Sequence, residues 1–252
     1  MAIMLQRSQN TLRRWQGECI LGFILVAGIL SMGSLQAQVP ASPSGDKSAA
    51  TAASNPEYQK LYNEAAQALQ QKDYAGALAK LDTIEKSFPN MVNVWNLRGA
   101  IYTEQRDFAK ASEAFAKAGD IDKKAFAPRF NMAEVLFLQK KYPEARAKFE
   151  VLLAEDAKND LARYKVFLCY LANGEKIDAE KVLNQFNFAG DMPAYYFAHA
   201  AWDFSQNNPQ DAQGWLQSAS GIYSQQANLL FVDSLVELGY LKREENKKDE
   251  KK

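Results

Sequence analysis

The chain has 252 residues, 47% of them hydrophobic, with 30 basic and 30 acidic side chains, one histidine and two cysteines. That is enough apolar material for a substantial core, and the balanced charge excludes the basic stripe that phosphate neutralisation on a nucleic acid needs. One histidine, His199, with no spaced cysteine or acidic cluster beside it, cannot build a metal site.

In chain order, the first element is a targeting segment over residues 1–37. Arg7, Arg13 and Arg14 precede an uncharged run from Cys19 to Leu35, followed by Gln36, Ala37 and Gln38. The strongly apolar part is about 12 residues long, short of the ~20 that span a bilayer. The expectation is a signal peptide cleaved after Ala37, with an inner-membrane anchor through residues 19–35 as the alternative. Either way the arginines stay on the cytoplasmic side and the body of the chain is exported, to the periplasm. Cys19 stands at the start of the apolar run, whereas a lipid-modified cysteine would close it. Residues 38–54 are rich in Ala, Ser and Pro and hold no aromatic side chain, so they read as a flexible linker.

Residues 55–240 carry an internal repeat. Ala77, Ala111, Ala145, Ala179 and Ala212 are separated by 34, 34, 34 and 33 residues. Four residues after each stand Leu81, Phe115, Phe149, Leu183 and Leu216; seven after, Ile84, Ala118, Leu152, Phe186 and Ala219. Offsets of four and seven put these on one helix face. Twelve residues before each alanine lie Ala65, Gly99, Ala133, Phe167 and Ala200, small in four cases, where a small side chain lets two helix backbones approach. From Ile222 to Gly239 one more amphipathic helix with a glycine stop is expected, a cap over the apolar face of the last repeat, with an exposed docking helix as the alternative. Residues 241–252 carry six basic and four acidic side chains and read as a charged disordered tail. Without residues 1–37, 27 basic residues face 29 acidic ones, a weakly acidic body.

This pattern resembles the tetratricopeptide repeat, a 34-residue helix-turn-helix. Trp95, Gly99, Tyr102, Phe108, Ala111, Phe115 and Ala118 fall where its signature wants them, as do Ala133, Leu136, Tyr142, Ala145, Phe149 and Leu152. Departures stand at Phe167 for the small residue, Lys176 and Pro209 for the turn aromatic, and Asp203 for an apolar residue. The resemblance implies an all-α chain: a right-handed α-solenoid of about five helix pairs plus the C-terminal capping helix.

It also implies that the first helix of each repeat lines a concave groove for an extended peptide or a partner helix. The groove columns are then Tyr62, Asn96, Phe130, Tyr164 and Phe197; Ala66, Ala100, Glu134, Leu168 and Ala201; and Leu69, Thr103, Phe137, Leu171 and Phe204. Asn63 and Asn131 stand in a neighbouring column where members of the family use an amide on a ligand backbone. Tyr62 and Ala66 supply neither the basic residue nor the asparagine of a carboxylate clamp. The candidate groove residues are Tyr62, Asn96, Phe130, Asn131, Phe137, Tyr164, Leu168, Phe197 and Phe204, an apolar and aromatic set suited to an apolar peptide or amphipathic helix. The same aromatics packed against adjacent helices or a second copy is the competing reading.

The sequence holds no glycine-rich phosphate loop, serine elbow or paired-histidine helix motif, and Cys169 between Leu168 and Tyr170 reads as a packing residue. The expected function is therefore a non-catalytic, cofactor-free exported scaffold that binds a protein or peptide, without nucleic acid, in assembling an envelope complex. A self-associating structural envelope protein is the alternative. Oligomeric state and partner are left open by the sequence.

Overall fold

The computed structural model of the chain describes residues 54–188 and 192–242. The expected targeting segment, nearly all of the linker and all but the start of the tail lie outside these residues. Eleven helices and no strand occur among the described residues. The chain divides into two bodies at Lys140 and Lys141.

The N-terminal body holds α1 (Pro56–Gln70), α2 (Tyr74–Ser87), α3 (Val92–Glu104), α4 (Phe108–Ile121) and α5 (Phe126–Leu138). The C-terminal body holds α6 (Tyr142–Glu155), α7 (Asp160–Ala172), α8 (Lys176–Leu183), α9 (Ala194–Ser205), α10 (Pro209–Ile222) and α11 (Gln225–Glu237). Within each body, consecutive helices pack antiparallel as pairs, and alternate helices touch, α1 with α3, α3 with α5 and α7 with α9.

Helix starts follow from capping chemistry. Asn55 accepts from the Glu57 amide (2.8 Å), Asp73 from Gly76 (2.9 Å), Asp107 from Lys110 (3.2 Å), Asn159 from Ala162 (2.9 Å) and Ser224 from Ala227 (3.2 Å). Pro209 is tolerated where the repeat wants an aromatic because it opens α10, where a missing amide hydrogen has no intrahelical partner to lose.

The periodic columns are the core. All five alanines of the 34-residue column are fully buried, and the residues four and seven places after them are buried. Gly99 shows why the earlier column is small: a Cβ there would sit 2.5 Å from Cε1 of Phe115. The fourth repeat solves the problem differently. Its Phe167 is fully buried with Phe186 set edge-on at 6.3 Å, and α8 stops after eight residues, so the chain beyond it delivers Phe186 to that ring.

A second period is visible only in the backbone. Lys72, Arg106, Lys140, Gly174 and Asn207 all have φ between +59° and +79°, at the same place in each repeat, between its two helices. The turn closes with bonds such as Lys72 N to Leu69 O (2.9 Å) and Asp73 N to Ala68 O (2.8 Å), repeated at Arg106 and Asp107, a glycine-type helix stop built mostly without glycine. A non-glycine residue in this conformation costs about 1 kcal/mol or more, so Lys72→Gly and Arg106→Gly should each raise stability by about 1 kcal/mol. Gly174→Ala, with open space around its Cβ, should lower it by a similar amount. Urea unfolding of the three variants checks this, and equal stabilities would contradict it.

Candidate binding surface

In the N-terminal body, the expected groove column begins at Tyr62, which is buried and stacked on Tyr58 at 5.9 Å; Tyr58 in turn meets the edge of Phe88 at 5.7 Å. Burial pushes the Tyr58 hydroxyl up to about 12, the nearby Asn93 amide partly opposing it, and raises that of Tyr62 further, so both stay neutral. Asn131 Nδ2 donates to Asn96 Oδ1 at 2.9 Å across the α3–α5 contact, both side chains buried. That bond commits the two amides to each other, a use that satisfies polar groups inside the body. Asn63 is exposed. Phe130, stacked on Phe126 at 5.5 Å, and Phe137 are buried too.

In the C-terminal body, Tyr164, Leu168 and Phe197 are buried and Phe204 is half-buried. Their cover is α11. Phe231 of that helix sits 5.0 Å from the Tyr164 ring and 5.5 Å from Phe197, and the Tyr164 hydroxyl donates to the Phe231 carbonyl at 3.3 Å. One residue along α7, Lys165, 1% exposed, sends its ammonium to Ser234 Oγ at 2.8 Å. At the far end Tyr240 stacks on Phe204 at 5.5 Å, with ring planes 10° apart. Asn228 Nδ2 donates to the carbonyls of Tyr223 (3.2 Å) and Ser224 (3.1 Å), which fixes the start of α11 to the end of α10.

Two hydroxyls report how far the helix reaches. Burial raises the Tyr240 pKa, and Tyr142 adds to it; the Tyr142 hydroxyl is raised by burial, then by Cys169 and by Glu237 of α11. Tyr142 opens α6. The C-terminal helix therefore starts beside α10, crosses α9 and α7 on the face that carries the groove columns, and ends near the first residue of α6. It exists with the expected glycine stop, Gly239 at φ +78°, but it covers more than the last repeat.

The nine candidate residues thus form two sets, one in each body, eight of them buried and Phe204 half-buried. The structure brings Tyr164 and Phe197 together under α11, sets Phe204 against Tyr240 just beyond that helix, and pairs Asn96 with Asn131. Sequence columns identify the inward face of each first helix but carry no information on what lies over it. In the sequence Lys165 stands only as an interruption of the asparagine column; the signal that could point to Phe231, Ser234 and Tyr240 is the set of polar residues interrupting the apolar face of α11.

A second cluster joins α9 and α10. Tyr195 and Trp215 enclose His199, at centroid distances of 4.3 and 4.8 Å, with Tyr196 and Tyr223 behind and Phe188, 70% exposed, at the edge. Trp215 Nε1 donates to Asp203 Oδ2 at 2.8 Å, which explains an acidic residue at an apolar repeat position. Burial between the rings lowers the His199 pKa, with Asp203 opposing. Among the described residues no group of three or more His, Cys, Asp or Glu side chains is placed to hold a metal, and no helix is long and apolar enough to cross a membrane.

No protein-family model and no curated protein sequence matches the chain. Among solved structures, it is similar to the crystal structure of a tetratricopeptide repeat protein from Parabacteroides merdae ATCC 43184, at 17% identity over 71% of this chain and 70% of that one, with a TM-score of 0.57. The chain has a tetratricopeptide-repeat fold. At that identity the likeness concerns the fold, and it agrees with the all-α helix pairs and with the 34-residue columns that the core uses.

Proposed function

We propose that this protein is a non-catalytic scaffold, exported to the periplasm, that binds a partner protein or peptide on the inner faces of its repeats in assembling an envelope complex. The observation that carries the reading is the seat of α11: an amphipathic helix lies across α9 and α7, its Phe231 between Tyr164 and Phe197. A face that takes one helix through ring contacts and a buried hydrogen bond has the chemistry to take another.

Truncating Phe130 and Phe137 together is a poor probe of this function, since both are buried and their loss would empty the core. A photo-crosslinking residue at the exposed Asn63 of α1, compared with one at the exposed Lys117 of α4, tests it in cells. The expected result is a discrete adduct from Asn63 and none from Lys117. Equal labelling, or no adduct from Asn63, would contradict the reading. Mass spectrometry of the chain from an envelope fraction should find Gln38 as the first residue; a chain confined to the cytoplasm would remove the exported part of the proposal.

The exposed Phe188 at the edge of an aromatic cluster favours one second reading, self-association through that patch. Sedimentation at micromolar concentration decides it. Dimers that Phe188→Ser dissolves would support it, and a monomer would end it.

A further inference from the structure

The helix that covers Tyr164 and Phe197 reaches further than the elements beneath it. Like α3, α5 and α9, α11 touches the helix pair before it, α9 and α10, but it also reaches back to α7, with Phe231 on Tyr164 and Ser234 on Lys165. Its buried face is also mixed. Phe231, Val232 and Leu235 share the buried positions with Asn228, Asp233 and Ser234; Asn228 bonds carbonyls at the α10–α11 junction, while Ser234 takes the Lys165 ammonium, a polar contact that another ligand can replace. A two-residue link, Tyr223 and Ser224, both extended, connects it to α10, which keeps its local concentration at the face high.

Resting on the scaffold reading above, we propose that α11 is a displaceable internal ligand, and that the partner presents an amphipathic helix of the same chemistry to the α7–α9 face. Such a helix carries an aromatic ring at the place of Phe231, to sit between Tyr164 and Phe197. It carries aliphatic side chains at the places of Val232 and Leu235, one and four residues later. At the place of Ser234 it carries an oxygen acceptor for the Lys165 ammonium, which fixes the register, since that cation is buried in the interior. Binding is then an exchange of one helix for another. The affinity observed for the partner is its intrinsic affinity multiplied by the fraction of molecules in which α11 is undocked.

The test uses the full chain and a fluorescent synthetic peptide of residues 225–241, followed by anisotropy. In the wild-type chain the internal helix competes; in Phe231→Ala and in Tyr240→Ala, which removes only the ring stacked on Phe204, it competes less. The peptide should bind both variants at least tenfold more tightly than the wild type, and a peptide carrying Phe231→Ala should not bind. The Tyr240→Ala chain keeps the core of the contact, so it reports even where Phe231→Ala disturbs folding. Equal affinities for wild type and Tyr240→Ala, or no peptide binding to any chain, would overturn the proposal. The crosslink from Asn63 separates the two ideas. An Asn63 adduct with no peptide exchange leaves the scaffold standing and removes the internal ligand; peptide exchange without an Asn63 adduct shows a working helix site and removes the scaffold reading as stated.

Discussion

Phe167→Ala is expected to lower the unfolding free energy by about 3–5 kcal/mol, the range for truncating a buried aromatic ring. The substitution installs the kind of residue that the other four repeats carry there, Ala or Gly, and by resemblance to the repeat it would be an improvement. The structure says the reverse. Phe167 is fully buried and set edge-on against Phe186, which lies past the end of the eight-residue α8, where α6 and α10 run for 14. A methyl group in place of the ring leaves a void that those neighbours cannot close. Urea unfolding checks it, with Val151→Ala, at a 53% exposed position, as the control expected to move stability by less than about 0.5 kcal/mol. A Phe167→Ala chain as stable as the wild type would mean that the fourth repeat packs as the others do.

Gly99→Ala is the converse case. Helix propensity alone favours alanine by about 1 kcal/mol. The added Cβ, however, meets three ring atoms of Phe115 at 2.5–2.7 Å, inside a core where that ring has nowhere to go. Overpacking of this kind costs about 1–3 kcal/mol, so the net effect should be destabilising. Gly119→Ala, in α4 with nothing within 4 Å of the new Cβ, should gain up to about 1 kcal/mol by propensity. Phe115→Leu should relieve the clash, so Gly99→Ala combined with Phe115→Leu should cost at least about 1 kcal/mol less than the two changes summed. Additive costs would show that the small column is not what sets the distance between α3 and α4.

These two sites mark what the sequence made legible. Ala77, Ala111, Ala145, Ala179 and Ala212 name the buried face of each second helix because helical offsets translate directly into a face, and burial then selects small and apolar residues there. Departures from the repeat are intelligible once their partners are known. Asp203 accepts from Trp215, Pro209 opens a helix, and Phe167 meets Phe186. No local pattern announces those partners, since each pair is joined across a turn or beyond a shortened helix. The left-handed turn residues were missed for another reason. Lys72, Arg106, Lys140 and Asn207 are not glycines, and the conformation is imposed by the helices on either side.

The groove columns show the same limit more sharply. Tyr164, Phe197 and Phe204 face inward as expected, but their neighbour is decided by the path of α11, and 34-residue spacing predicts stacking at the end of the array. What carries the helix over α7 as well is the pair of contacts at Phe231 and Ser234. In the N-terminal body, Asn131 donates to Asn96, so an asparagine in the column where the resemblance implies a ligand-binding amide serves packing there.

An exchange of one helix for another on the face of α7 and α9 is the central expectation. Hydrogen exchange of the full chain, measured with and without the peptide of residues 225–241, addresses this directly. The prediction is that the amides of Gln225–Glu237 lose protection when the peptide is added in excess, while those of Asp160–Ala172 and Ala194–Ser205 keep theirs. Protection of α11 that stays unchanged at saturating peptide, or that falls only together with α7 and α9, would contradict it.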